Sequence, residues 1–199
     1  MTQQGRGVVL LSASSARAVE WVRRGVVPCH VLEHSSWSIV VPATPETAAA
    51  PPYDDALTVL ASRHVGSPLA PSIGLFEMGD TAVITARAPG RAPVRWALRA
   101  ADREVVRGPQ LPPLSPEDVH RTLATGAGAG ARQVPIREIR ALFARTDLTH
   151  LEWLVEACAV LALPAGRVLD GSDTALGPVI APDARSVQAF DSVVKDVHP

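Results

Sequence analysis

The pattern that most limits how this chain can fold is an arrangement that occurs twice. Residues 14–41 and 54–86 each read as a helix, a connector and a two-stranded hairpin. In the first unit, Ser12 to Ser15 offers hydroxyl caps to a helix that carries Ala18, Val19 and Val22 on its core stripe and ends at Gly25. Two strand-like segments follow, residues 29–34 and 37–41, separated only by Ser35 and Ser36. In the second unit, Asp54 or Asp55 caps a helix that turns Leu57 and Leu60 inward. Residues 73–78 and 81–86 then pair around Gly79-Asp80, which tolerate the positive φ of a tight turn. Two such α-β-β units predict an α+β fold built on an antiparallel, split-βαβ-like sheet. Residue identity between them is low, so the echo fits an internal duplication or the common reuse of one motif.

The flanking segments extend this frame. Residues 7–11 form a β-branched apolar run that reads as a buried strand. Along residues 94–100, Val94, Trp96 and Leu98 alternate with Arg95 and Arg99, which predicts a further strand with residues 104–107 returning as its hairpin partner, so that the two units and this hairpin supply about six strands. A helix from Pro93, with Val94, Ala97, Leu98, Ala101 and Val105 on one face, is the rival reading. From Ser115 the chain turns helical: a hydroxyl, a first-turn proline and the carboxylates of Glu117 and Asp118 mark a helix start. Residues 135–144 and 150–163 make a helical pair, the second introduced by Thr149-x-x-Glu152. Residues 166–182 read as irregular. A last helix over 185–197 lines up Val187, Phe190, Val193, Val194 and Val197. The expected organisation is an α+β sheet domain over 1–110, with a helical part over 111–199 packed on the same core or forming a small subdomain.

Apolar residues make up 47 % of the 199, enough for one complete core, and the formal net charge of -1 gives no global field toward nucleic acid or an anionic membrane. No apolar run approaches the ~20 residues of a spanning helix, and the N-terminus has no secretory pattern, so a cytoplasmic protein without membrane insertion is expected. Cys29 and Cys158 read as reduced thiols.

Few residues offer chemistry. Cys29, His30, His34 and His64 have metal-ligating side chains, but on a strand His30 and His34 lie ~13 Å apart and face away from Cys29, so they predict no metal site. Cys158 falls on the stripe of Leu151, Leu154, Val155 and Leu161 and reads as core. The glycines at 126, 128 and 130 follow a helix rather than a strand and precede no Gly-Lys-Ser/Thr, so they read as a connector and not a phosphate loop. The pair 135–144 and 150–163 is no DNA-reading unit, because its second helix carries Glu152 and Glu156 and no basic residue. No cofactor is expected.

What stands out is a series of arginines four residues apart: Arg87, Arg91, Arg95, Arg99, Arg103 and Arg107. Against Asp102 and Glu104 they leave +4 over 87–107 and -5 over the rest of the chain. A guanidinium fork suits carboxylates and phosphates. The expectation is therefore a non-catalytic binding or regulatory module that meets an acidic protein surface, or another anionic ligand, through Arg91, Arg95, Arg99 and Arg103. Aromatics at 4 % leave few stacking platforms for single-stranded nucleic acid. The alternatives are an assembly component that forms a homo-oligomer and an enzyme using His30, His34, His64 and Glu33.

Overall fold

A computed structural model describes residues 5–100, 105, 110–126 and 134–197. Among them, seven strands form one fully antiparallel sheet: β1 (Gly7–Leu11), β2 (Cys29–His34), β3 (Trp37–Pro42), β4 (Ser72–Met78), β5 (Thr81–Arg87), β6 (Arg95–Ala100) and β7 (Val179–Ile180). Their spatial order is β6-β5-β4-β1-β3-β2-β7. The helices are α1 (Ser15–Arg23), α2 (Ala56–Ser62), α3 (Pro116–Gly126), α4 (Ile136–Phe143), α5 (His150–Val160), α6 (Gly166–Leu169) and α7 (Ala184–Val197). The fold is α+β. None of the described helices is long and apolar enough to cross a membrane.

β1 occupies the centre because its sequence has no polar alternation. Val8 and Leu10 enter one core and Val9 and Leu11 the other, which requires both faces of the sheet to be covered at that strand. On the first face lie α3 to α6, whose Val119, Leu123, Ile139, Leu142, Trp153, Leu154, Ala157 and Cys158 pack against Leu10, Ile39, Leu75 and Ile84. On the second lie α1 and α2, with Val187 and Phe190 of α7 partly buried beside them. The C-terminal residues therefore contribute to both outer layers of a three-layer sandwich.

The hairpins expected in the two α-β-β units both form. β2 and β3 pair from Cys29↔Pro42 to His34↔Trp37, with Ser35 at φ 55°, and β4 and β5 pair from Ser72↔Arg87 to Met78↔Thr81, with Gly79 at φ 60°. Asp55 caps α2 by accepting the Thr58 amide at 2.7 Å, and Thr149 and Glu152 complete a reciprocal capping box on α5. The two α-β-β units do not occupy equivalent places. The first sets its second strand, β3, beside β1, whereas the second sets its first strand, β4, there.

One strand of the sheet, β7, was not expected. This two-residue strand, in a stretch that reads as irregular, pairs with Cys29 and His30 of β2. Its brevity hides it from any periodicity argument. The return strand expected over 104–107 falls, apart from Val105, outside the described residues. The outer side of β6 is met at Trp96 by a different segment, whose Pro112 carbonyl accepts the Trp96 amide at 2.8 Å, while Leu114 donates to the Trp96 carbonyl at 2.8 Å. The glycine-rich connector at 127–133 likewise lies outside the described residues. On α7, Val193 is 63 % exposed instead of joining the buried stripe.

Candidate functional site

The described members of the arginine series do not assemble into one surface. Arg95 and Arg99 do project from the same side of β6, with Ala97 between them, but that side belongs to the core under α3 to α5. Arg99 is consequently 0 % exposed. Its guanidinium donates to the carbonyls of Leu148 at 2.5 Å, Arg145 at 3.2 Å and Thr149 at 3.4 Å, and it lies 5.6 Å from the centre of the Trp153 ring. These carbonyls belong to the α4–α5 junction, so the guanidinium ties the connection between the two helices to β6. Arg99 is thus an internal clamp and is not available to an external partner, which corrects the sequence expectation for that residue. Alternation decides which residues share a face; it says nothing about whether a helix covers that face.

The other described members are scattered. Arg87 is buried and donates to the carbonyls of Val65, Gly90 and Ala92. Arg91 is exposed on the connector before β6, and Arg103 and Arg107 lie outside the described residues. Arg95 lines a cleft of about 410 Å³ with Trp96, Pro113, Asp118, Arg140 and Phe143. There it donates to the Pro113 carbonyl at 3.2 Å and stands 3.6 Å from Asp118, while Arg140 holds Glu117 at 2.7 Å. Burial pushes the Asp118 carboxyl up, but the Ser115 hydroxyl and amide, with Arg95 and Arg121, outweigh it and hold the group below the usual carboxylate range. The cations of this cleft are answered by carboxylates of the same molecule.

The residues considered for an enzyme or a metal are also apart. Cys29 and Cys158 are free, buried thiols on opposite faces of the sheet. Burial pushes each up to about 12, so neither is a ready nucleophile. His30 contacts the Gly177 carbonyl at 2.9 Å, Glu33 accepts the Ser15 hydroxyl at 2.5 Å, and His34 and His64 are exposed at separate places. Among the described residues no group of three metal-ligating side chains comes together.

A different arginine stands in a different condition. Arg63 follows the last residue of α2 and extends along α1 toward Trp21, with its guanidinium carbon 3.8 Å from the centre of the indole ring. Its Nη2 donates to the Trp21 carbonyl in the last turn of α1, where a helix dipole favours a cation. Gly25 makes this approach possible, since a Cβ there would overlap the guanidinium. Trp21 is itself held by its indole N–H, which donates to the His64 carbonyl at 3.1 Å. The chemistry of the two segments is therefore reciprocal: each aromatic or cationic side chain binds the other segment's backbone.

Arg63 differs from Arg99 in being incompletely answered. Its Nη1 is buried with no hydrogen-bond partner, and no carboxylate among the described residues pairs with it. Burial pulls its pKa down to about 10, partly offset by the nearby Cys29, and it remains a cation at neutral pH. It lines a cavity of about 290 Å³ with walls from Val26, Val59, Tyr53 and Phe190, and with Arg24, Ser62, His64 and Ser186 around them. Tyr53 and Phe190 meet edge to face at 5.3 Å, which fixes α7 as one side of the cavity. Two other buried polar atoms lack partners, Glu77 Oε2 and His150 Nε2, but neither residue lines this cavity or the Arg95 cleft.

The comparisons with known proteins match no family model, no curated protein and no solved structure. The candidate site therefore rests on its own geometry. Sequence reasoning passed over Arg63, Trp21 and Tyr53. A signal was present: Arg63 falls three residues after Leu60 and seven after Ala56, where the apolar stripe of α2 would continue. A cation on an apolar stripe marks either a surface-reaching side chain or a buried charge with a purpose.

Proposed function

We propose that this chain is a non-catalytic binding module whose ligand is an anion received by Arg63 in the cavity between α1, α2 and α7. The observation that carries the proposal is a half-buried cation on the wall of the cavity that no carboxylate pairs with among the described residues. A half-buried charge held this way costs free energy, and an anion entering the cavity offsets that cost. The same surface chemistry was expected of the series Arg91, Arg95, Arg99 and Arg103, but Arg99 is consumed inside and Arg95 is matched by Asp118, which moves anion recognition to Arg63. The test is a thermal-shift titration with acetate, benzoate and inorganic phosphate at constant ionic strength, on the wild type and on Arg63→Met. At least one anion should raise the wild-type Tm progressively and leave the variant unmoved. Equal shifts in both proteins, or none in the wild type, defeat the proposal.

A further inference from the structure

Resting on that reading, we infer that the ligand is a small monocarboxylate with a compact apolar body of aromatic size, rather than a phosphate or other polyanion. Charge, space and wall chemistry converge on this class. The cavity offers one half-buried guanidinium without a carboxylate partner among the described residues. The second arginine beside it, Arg24, has its side chain 72 % exposed and is held by Glu20 at 2.7 Å. A phosphate dianion carried into such a site keeps one charge uncompensated next to apolar walls, whereas a carboxylate is neutralised by a single guanidinium. The hydroxyl of Ser62 already donates to the Thr58 carbonyl at 2.8 Å, so it adds little toward further phosphate oxygens.

Size argues in the same direction. At about 290 Å³ the cavity sits near the lower end of the ~300–1,000 Å³ typical of small-molecule sites, which suits a ligand of one ring rather than of several. A bare carboxylate such as acetate fills a fraction of it and leaves the faces of Val26, Val59, Tyr53 and Phe190 wet. A benzoate-sized acid places its carboxylate on Arg63 and covers those faces with its ring, so hydrophobic burial adds to the ion pair. The edge-to-face pair of Tyr53 and Phe190 supplies the aromatic surface such a ring packs against. Arg63 and Trp21 are the positioning elements, and Gly25 keeps the space that the guanidinium fills.

The experiment is isothermal titration of the full chain with benzoate, benzamide, acetate and inorganic phosphate. It is run on the wild type, Arg63→Met, Gly25→Ala and Phe190→Ala, each checked for native circular dichroism. Benzoate is expected to bind the wild type at least tenfold more tightly than benzamide, acetate or phosphate do. Arg63→Met should lose tenfold or more of that affinity. Gly25→Ala, whose new methyl displaces a flexible side chain and not backbone, should fold normally and lose affinity as Arg63→Met does. Phe190→Ala should weaken benzoate and leave acetate unchanged. Phosphate binding more tightly than benzoate, with dependence on Arg63, overturns the ligand class while leaving the anion site intact. Benzoate binding unaffected by Arg63→Met and Gly25→Ala, or no binding by any of the four compounds, overturns both.

Discussion

Two arginines of this protein are withdrawn from water against a tryptophan, one on each face of the sheet, and they differ in how far the surrounding chain satisfies them. Arg99 donates to three carbonyls at the α4–α5 junction and lies over Trp153. Arg63 donates to the single carbonyl of Trp21, stacks on that ring, and leaves Nη1 without a partner, packed against Gly25. The contrast separates a cation whose acceptors are supplied by the fold from one with a single acceptor, on which the proposed anion site rests. Where the backbone supplies a set of acceptors, the guanidinium is part of the fold; where it does not, under the proposed function, an acceptor from outside completes it.

The largest effect should come from Arg99. Arg99→Met removes the donor to three helix-end carbonyls, and urea denaturation should show a loss on the order of 3–5 kcal/mol. A loss below about 1 kcal/mol would erase the distinction, because Arg99 would then be no more integral than Arg63. Thr149→Ala tests the same junction from the other side. Removing the capping hydroxyl should cost about 1 kcal/mol in the same measurement. Arg63→Met should change stability by less than about 1 kcal/mol, since the lost bond to the Trp21 carbonyl is offset by removal of a buried unpaired charge. Its deficit should be in ligand binding instead. Smallest of all is Arg91→Glu, a change on an exposed connector, which should stay within about 0.5 kcal/mol.

A pH titration sharpens the comparison of the two faces through their thiols. Cys29 and Cys158 are pushed up by burial from 9.0 to about 12. Between pH 9 and 10 the unfolded chain releases these protons while the folded chain keeps them, so the folded state binds more protons and stability falls as pH rises. Urea midpoints should therefore decrease across that window. Replacing either cysteine by alanine should flatten the slope, one step for each face of the sheet. Native protein at pH 8 should react with a thiol reagent only at the rate of unfolding.

Much of the architecture is legible in local chemistry. The serines at 35 and 36, the Gly79-Asp80 pair, Asp55 and the Thr149–Glu152 box each act within a few residues of themselves, and each marks an element end that the tertiary structure retains. The apolar alternation of β6 was also readable, and it correctly places Arg95 and Arg99 together opposite Trp96 and Leu98. β7 was not readable, because two residues carry no period. The site was least readable of all. Its walls come from Val26, Tyr53, Val59 and Phe190, which are distant in sequence, and its cation was indistinguishable in composition from the arginines of a more conspicuous series.

By itself, then, the chain's order of residues determined which segments become helices and strands, where they stop, and which side chains share a face, because those properties arise from contacts a few residues apart. Inside and outside were decided only when the layers closed. Helices α3 to α5 settled on the face that carries Arg99 and supplied it with carbonyls, while α1, α2 and α7 enclosed Arg63 without a matching set. Solvation is a property of the assembled layers, and a single strand or helix does not encode what will come to rest against it.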